Sequence, residues 1–217
     1  MGNRDRVVAA ALALMNEYGA EAIGTNRIAA EADVSPGNLY YHFANREEIV
    51  RVLFDALEAE FRDVLQRDVE SPLSPGRVAA FYVRSFDLAW RYRFFFGGTL
   101  GLLRRDAELA RRYRALQAWA IDELEGIAGR IAADGRLAHP RRQAGLRSVA
   151  LSTWLIWSNW IRYLQISGHE TIARADMAAG VGQLFDVLSP YLEDRFEREV
   201  RRLVEAAWPP EGPDGAV

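Results

Sequence analysis

The sequence predicts an all-α protein, and three observations support this. Apolar residues recur at helical spacing along the chain, no stretch alternates as a half-buried strand would, and glycine, proline and capping residues stand where helices would begin and end. With 217 residues, 50% of them hydrophobic and 26% charged, the chain can bury a sizeable core as one ordinary domain or two small ones. We expect a small N-terminal group of helices followed by a larger helical domain.

The composition excludes several classes of protein. The chain has no cysteine, which rules out disulfides, thiolate metal sites and a cysteine nucleophile, and its three histidines argue against a multi-histidine metal centre. All 27 basic residues are arginines and the net charge is −3. Because no global positive field marks a nucleic-acid partner, such a role has to rest on local chemistry. We expect neither a metal nor another cofactor.

Two segments imitate targeting signals. Arg4 and Arg6 followed by the apolar run 7–15 resemble a secretory signal, but Asp5 lies in the would-be basic region and the run has the spacing of an amphipathic helix. The uncharged run 148–161 is shorter than the roughly 20 apolar residues that a membrane span needs. We therefore expect a cytoplasmic protein with no membrane partner.

Local signals divide the N-terminal part into four helices. Each predicted helix starts at a capping residue or ends at a breaker. They are 4–18, closed by Gly19; 25–32, with Thr25 as N-cap; a short helix from Pro36, with Ser35 as N-cap; and 46–70, with Asn45 and Glu48 as a capping-box pair. The Ser/Pro/Gly segment 71–76 then breaks the pattern.

The second half is predicted to consist of longer helices. They are 77–96, interrupted by Gly97-Gly98 and followed by an apolar segment to 103; 106–134, capped by Asp106; 140–167; 171–188; and a last helix from Ser189-Pro190. We assign residues 1–50 to a small helical head that continues into a connecting helix to about 70. Residues 71–208 are assigned to a larger helical domain, and 209–217 to a disordered tail.

The second and third helices have the arrangement of a helix-turn-helix. They are short and are joined by a three-residue turn, 33–35. Their inward positions are apolar: Ile28, Ala29, Val34, Leu39 and Phe43. The remaining positions of the third helix are uncharged or weakly basic, and no carboxylate occurs in 34–46, as a phosphate-facing surface requires.

The segment Thr25-Asn26-Arg27-Ile28-Ala29-Ala30-Glu31-Ala32-Asp33-Val34-Ser35-Pro36-Gly37-Asn38-Leu39-Tyr40-Tyr41-His42-Phe43, followed by Asn45-Arg46-Glu47-Glu48-Ile49, closely resembles the DNA-binding head of TetR/AcrR-family transcriptional regulators. The resemblance covers roughly residues 4–60. It implies that residues 1–50 are a helix-turn-helix DNA-binding domain and that residues 71–208 are a ligand-binding and dimerisation domain. The Leu-Tyr-Tyr-His-Phe run at its fixed distance from Ile-Ala-x-x-Ala is its specific part. One departure is Asp33, at a turn position where the family most often has glycine; Asp tolerates the left-handed conformation better than most residues.

The resemblance assigns the DNA contacts. Thr25 and Asn26 would touch phosphate and could also touch a base. Pro36, Gly37, Asn38 and Tyr41 would face base edges, with Asn38 the best hydrogen-bonding reader. Tyr40, His42 and Arg46 would bind phosphates. Ser35, at the N-terminus of the third helix, can add a phosphate donor. A run such as Tyr40-Tyr41-His42-Phe43 taken alone is also typical of ordinary packing aromatics. The caps, the turn and the spacing together favour DNA binding.

Aromatic residues are concentrated in the second half and have two interpretations. They can form a packed core and dimer interface, or they can line an apolar effector cavity with a few polar groups. Our candidate ligand-binding residues are Tyr82, Phe86, Trp90, Tyr113, Trp119, Trp154, Trp157 and Asn159. We expect a dimer interface from the helices 140–167 and 171–188 of two chains.

We weighed three functional classes. The favoured one is a homodimeric repressor that binds a palindromic operator in double-stranded DNA and is released by a small hydrophobic effector. An enzyme is disfavoured because no phosphate-binding loop or Ser–His–acid set is present; His139 and His169 bracket one helix about 45 Å long and could meet only between antiparallel chains. A helical small-molecule-binding or scaffold module without DNA activity would leave the acid-free segment unexplained.

Overall fold

The computed structural model describes residues 2–67, 74–137, 145–169 and 171–208. Within these ranges the chain forms no β-strand, only an isolated bridge between Leu137 and Leu192, so the all-α prediction is confirmed. The helices are α1 (Asn3–Tyr18), α2 (Thr25–Glu31), α3 (Pro36–His42), α4 (Arg46–Arg67), α5 (Pro75–Arg91), α6 (Arg93–Arg105), α7 (Ala107–Ala133), α8 (Gly145–Ile166), α9 (Asp176–Leu188) and α10 (Asp194–Ala207). Short 3-10 turns occupy Ala20–Ala22 and Ser189–Tyr191.

The chain divides into two compact units. The first, here called the N-terminal unit, contains Met1–Glu60 and Arg91–Ala115; the second, the C-terminal unit, contains Phe61–Trp90 and Leu116–Val217. Helix α6 and the first turns of α7 therefore belong with the N-terminal helices, although they follow α5 in sequence.

The helices of the N-terminal unit form because their apolar residues line one side of each. Helix α1 buries Val7, Ala10, Ala11, Leu14 and Met15 at helical spacing. It ends at Gly19, which has a φ of +80° that suits glycine.

Helix α2 ends in a Schellman motif, a C-terminal cap that leads into the turn before α3. The Val34 N–H donates to the Ala29 carbonyl at 3.0 Å, and the Asp33 N–H to the Ala30 carbonyl at 3.2 Å. These bonds hold Asp33 at a φ of +51°. The left-handed conformation expected at this position from the sequence is confirmed.

Several predicted helix caps are present. The Ser35 hydroxyl accepts a hydrogen bond from the Asn38 N–H at 3.1 Å, and Asn45 accepts one from the Glu48 N–H at 2.9 Å. The Glu48 carboxylate reaches back to the Ala44 N–H. Asp106 accepts from the first N–H groups of α7 and also from Arg51, at 2.7 Å.

Two predicted boundaries are wrong in the N-terminal unit. Thr25 is the first residue of α2, and Gly24 is its N-cap. Gly97-Gly98 do not interrupt the chain, because α6 continues through them; the break lies at Tyr92. The cause is a long-range contact: the Asn16 amide donates to the Arg91 carbonyl at 2.7 Å and accepts from the Phe94 N–H at 3.1 Å.

Three other predicted helix boundaries, in the C-terminal unit, are wrong. Helix α9 begins at Asp176, later than predicted, because the Asp176 carboxylate accepts a hydrogen bond from the Ala173 N–H at 2.8 Å and holds the preceding residues in a turn. The last helix begins at Asp194, because Glu193 caps it and the segment from Ser189 forms a 3-10 turn. Helix α5 begins at Pro75, inside the predicted break 71–76. The predicted start of α8 at 140, residues 71–73 of that break and the tail 209–217 lie outside the described residues.

The core of the C-terminal unit is aromatic. Phe61 stacks on Trp157 with ring centroids 4.4 Å apart, and Trp154 packs against both rings. On α9, Gly180 allows a close approach, because a Cβ there would lie 2.5 Å from Cε1 of Phe86. Phe61, Phe86, Trp154 and Trp157 also line the smaller of the two cavities described below.

Candidate nucleic-acid interface and buried cavity

Helix α3 has an apolar face in the core of the N-terminal unit and a polar face in solvent. Leu39 and Phe43 are each 1% exposed, whereas Tyr41 is 83% exposed. The residues predicted to contact DNA on this helix and its cap are all exposed or half-buried: Ser35, Pro36, Gly37, Asn38, Tyr40, Tyr41 and His42. Because the acid-free segment 34–46 includes this face, α3 can approach a polyanion without a carboxylate of its own.

Hydrogen bonds connect this face to α2 and α1. The hydroxyls of Thr25 and Tyr40 lie 2.9 Å apart and join α2 to α3, while Asn26 is exposed beside Thr25. The Asn38 side-chain oxygen accepts a hydrogen bond from the Asn3 amide at 3.0 Å. The structure thus brings two of the predicted phosphate ligands together and fixes the predicted base reader from α1.

Arg46 points towards the protein. Its side chain is 15% exposed, and its guanidinium donates to the Ala20 carbonyl at 3.1 Å and to Glu47 at 3.0 Å. A phosphate would have to compete with these partners. The phosphate-binding role that the family resemblance implies for Arg46 stays a prediction.

Two other arginines of the N-terminal unit were not selected from the sequence. The Arg4 guanidinium lies over the Phe43 ring at 5.5 Å from its centroid, next to the C-terminal end of α3. Arg27, on the exposed side of α2, lies over the Tyr18 ring at 3.9 Å. The sequence signal that could have identified Arg4 is the basic start of α1, which also imitates a secretory signal. Both cations are candidates for phosphate contact.

A buried cavity lies in the C-terminal unit. It has a free volume of about 40 Å³, and a second space of about 10 Å³ adjoins some of the same side chains. The lining residues that sequence reasoning missed are mostly aliphatic and come from several helices: Val78, Leu124, Ile127, Ile131, Leu188 and Phe196. Their periodicity on α5 and α7 was visible, but periodicity alone does not separate a cavity wall from a filled core.

Tyr82 lies between the two spaces and lines both. It is 8% exposed, and no described residue forms a hydrogen bond with its hydroxyl. Burial alone raises the pKa of Tyr82 far above its ordinary value, so the hydroxyl keeps its proton and remains a donor. The neighbouring polar groups are bonded internally: Thr153 donates to the Val149 carbonyl and the Trp157 ring N–H to the Ser85 carbonyl.

The structure separates the other predicted ligand residues. Phe86, Trp154 and Trp157 line the smaller space with Tyr82. Four other predicted ligand residues line neither space. Tyr113 packs on Phe54 and Phe95 in the N-terminal unit, and Trp119 lies against the Arg62 guanidinium. The Trp90 ring N–H donates to the Ile172 carbonyl, and Asn159 lies in a surface depression with Trp160. Their ligand-binding roles stay predictions.

Apolar side chains are exposed on α8. Leu151, Leu155, Tyr163 and Ile166 are between 42% and 80% exposed, and Val187 on α9 is 40% exposed. Several exposed apolar side chains on one helix are typical of an interaction site. These side chains lie on the two helices predicted to form the dimer interface.

The described residues contain no cluster of three or more histidine and acidic side chains placed to hold a metal ion. His169 is bonded to the Leu164 carbonyl, and His139 lies outside the described residues. None of the described helices combines the length and apolarity needed to cross a bilayer.

Comparison with known proteins agrees with this architecture. A sequence model described as bacterial regulatory proteins of the tetR family matches residues 7–53, and one described as a bacterial transcriptional repressor matches residues 56–200. No curated protein matches the chain.

Solved structures give the same result. A TetR-family transcriptional regulator from Marinobacter aquaeolei VT8 is 29% identical, with a TM-score of 0.84 over 96% of this chain and 100% of that one. The SmeT–triclosan complex is 18% identical, with a TM-score of 0.62 over 90% of this chain and 94% of that one. The fatty acid degradation regulator FadR from Bacillus halodurans is 16% identical, with a TM-score of 0.65 over 87% and 95%. The latter two likenesses concern the fold.

The family match extends over most of the chain, and the helix-turn-helix geometry occurs where the N-terminal match lies. The chain therefore belongs to the TetR family of bacterial transcriptional regulators and is a DNA-binding regulator, not an enzyme.

Proposed function

We propose that the protein is a homodimeric repressor that binds a palindromic operator through α3 and leaves it when a small hydrophobic effector occupies the cavity of the C-terminal unit. The observation that carries the DNA-binding part is the outward face of α3, which is polar and free of acids while Leu39 and Phe43 anchor its back. A short helix anchored in this way can enter a major groove with its side chains directed at base edges.

Selection from random DNA duplexes tests this role. Purified protein at low salt, without added ligand, is expected to enrich an inverted repeat, because a two-fold symmetric dimer reads the same half-site twice. Asn38→Ala is expected to weaken binding to that repeat by about 1–3 kcal/mol and to relax its base preference. Failure of a correctly folded protein to enrich any sequence, with and without cell metabolites, would contradict the regulator function.

Dimerisation is supported by the exposed apolar side chains of α8 and α9. Leu155 is 49% exposed in the single chain, a position that a partner helix would cover. Leu155→Glu is expected to produce monomers in gel filtration with light scattering, because burying a charge at an apolar interface is unfavourable. Leu100→Glu is the matched control, since Leu100 is 52% exposed but belongs to the N-terminal unit. A monomeric wild type at micromolar concentration would rule out the dimer.

The effector part rests on the cavity and on Tyr82. Among the described residues, the lining of the cavity includes no charged side chain, so an ion bound there would lose its hydration without compensation from them. The free volume of about 40 Å³ suits several water molecules and is smaller than a drug-sized ligand requires. We therefore propose a small, uncharged effector with one hydrogen-bond acceptor for Tyr82. On binding, this effector would enlarge the cavity by displacing side chains that line it. Preferential binding to a conformation with low DNA affinity would release the operator.

Three one-ring probes test the chemistry of the effector. Acetophenone has a carbonyl acceptor, α-methylstyrene has nearly the same shape without it, and benzoate is an anion. Calorimetric titration is expected to show acetophenone binding about fivefold more tightly than α-methylstyrene, with no benzoate binding. Tyr82→Phe should remove that preference, while Tyr191→Phe, at an exposed tyrosine, should keep it. Equal affinities in the wild type would contradict the role of Tyr82.

A further inference from the structure

The base-reading side chain Asn38 is connected to a short chain of polar groups from α1 and the turn. The Arg6 guanidinium lies 3.7 Å from the Asp33 carboxylate through one amino group and donates to Oδ1 of Asn3 at 2.8 Å through the other. The Asn3 amide nitrogen then donates to Oδ1 of Asn38 at 3.0 Å. All four residues belong to the N-terminal unit.

The chemistry of arginine fixes the direction of every bond in this chain. A guanidinium only donates hydrogen bonds, so the atom of Asn3 that faces Arg6 has to be its oxygen. The other end of the Asn3 amide is then the nitrogen, which only donates, so the atom of Asn38 that faces it has to be the oxygen. The amide orientation of both asparagines therefore follows from the network itself.

The consequence concerns the free end of Asn38. The bond from Asn3 uses one of the two lone pairs of its oxygen and turns that oxygen towards α1, and within the described residues its amino group has no hydrogen-bond partner. The backbone of Asn38 is also held, because its N–H donates to the Ser35 hydroxyl at 3.1 Å. Asn38 therefore offers a donor from a fixed position near the start of α3.

We propose that Asn3 is a positioning residue that turns the amino group of Asn38, a hydrogen-bond donor, towards the DNA bases. An asparagine that is free to turn reads adenine through one donated and one accepted hydrogen bond. With its oxygen held by Asn3, Asn38 instead selects a base edge that presents acceptors in the major groove, of which guanine, with N7 and O6, is the best match. This inference rests on the proposed role of α3 in DNA reading.

Replacing the amide of Asn3 by a carboxylate should reverse the base preference of Asn38. In Asn3→Asp the carboxylate accepts from Arg6 and from whatever faces it on α3, so the amino group of Asn38 turns inwards and its oxygen outwards. The preferred base should change from guanine to one that presents a donor, cytosine or adenine, by about tenfold in relative affinity. In Asn3→Ala, Asn38 is free, and bidentate adenine recognition becomes accessible.

The experiment is duplex selection with the wild type, Asn3→Asp, Asn3→Ala and Ala9→Asp. The last adds the same charge to α1 at an exposed position outside the polar chain, so it should lower affinity without changing base preference. The same preference in the wild type and Asn3→Asp, or adenine preferred by the wild type, would overturn the inference while leaving DNA binding intact. If none of the four proteins enriches a sequence, the proposed function fails and the inference fails with it.

A measurement without DNA tests the orientation itself. In ¹⁵N-labelled protein, the side-chain amide protons of Asn38 should exchange rapidly with water in the wild type, where that group is free. In Asn3→Asp one of them should become hydrogen-bonded and exchange more slowly. Slow exchange in the wild type, or no difference between the two proteins, would overturn the positioning role of Asn3.

Discussion

The two units use polar groups in opposite ways. In the N-terminal unit, polar side chains of α3 lie at the surface and are connected to α1 and α2, as the Thr25–Tyr40 and Asn3–Asn38 pairs show. In the C-terminal unit, the polar groups near the cavity other than the Tyr82 hydroxyl are bonded to nearby carbonyls, as Thr153 and Trp157 are. The first arrangement presents donors to a partner, and the second withdraws them from one.

The difference teaches what each unit can recognise. A surface with several positioned donors can discriminate between partners that differ in hydrogen-bonding pattern, such as base edges. A cavity with apolar walls discriminates mainly by shape and by excluding charge, with the Tyr82 hydroxyl as a specific polar contact. Mutations in the two units should therefore separate effects on DNA binding from effects on stability.

The largest expected effect is on the aromatic core. Trp154 is 2% exposed, and Trp154→Ala is expected to lower the free energy of unfolding by about 3–5 kcal/mol, because it leaves a large void. Denaturation with urea measures this change. Tyr41→Ala removes an aromatic ring that is 83% exposed, so its stability should change by less than about 0.5 kcal/mol while its DNA affinity falls. If Tyr41→Ala destabilised the protein more than Trp154→Ala does, the distinction between the two units would be wrong.

A glycine pair on α9 provides a smaller and more local test. A Cβ at Gly180 would lie 2.5 Å from Phe86 and 2.8 Å from Trp160, so Gly180→Ala is expected to destabilise the protein by about 1–3 kcal/mol. Gly182 has nothing within 4 Å of such a Cβ, and Gly182→Ala should stabilise α9 by about 0.5–1 kcal/mol. Thermal unfolding of both variants measures the difference. Equal effects would show that α9 is not packed as closely as described.

The smallest expected effect concerns phosphate contacts. Arg4→Ala should weaken binding to all duplexes evenly and reduce the slope of log affinity against log salt by about one unit for each phosphate lost per site. Arg46→Ala tests the contact implied by the family in the same titration, with a loss of stability added because the bond to the Ala20 carbonyl is removed. An unchanged slope in either variant would exclude that arginine as a phosphate ligand.

Local features were predictable from the sequence, and long-range ones were not. Ser35 as a cap and the left-handed Asp33 depend on neighbours within a few residues, which the sequence displays. The break at Tyr92 depends on Asn16, more than 70 residues away, so the glycines at 97–98 were a misleading signal.

The same reasoning applies to the sites. The outward positions of α3 follow from helical periodicity once Leu39 and Phe43 are placed inside. Tyr113 and Tyr82 both lie on apolar stripes, but the fold assigns them to different units, which no local pattern reveals. The connection of Asn38 to Asn3 was likewise invisible, because it joins residues 35 positions apart.

The central claim is that two copies of α3 read two half-sites together, and a comparison of duplexes with two intact half-sites and with one tests it most directly. The protein is titrated against the selected inverted repeat and against a duplex of equal length in which one half-site is scrambled, with the mass of each complex measured by light scattering. The account predicts two chains on the full repeat and binding at least about 100-fold weaker to the scrambled duplex, since the second contact is lost. One chain bound with equal affinity to both duplexes would contradict it.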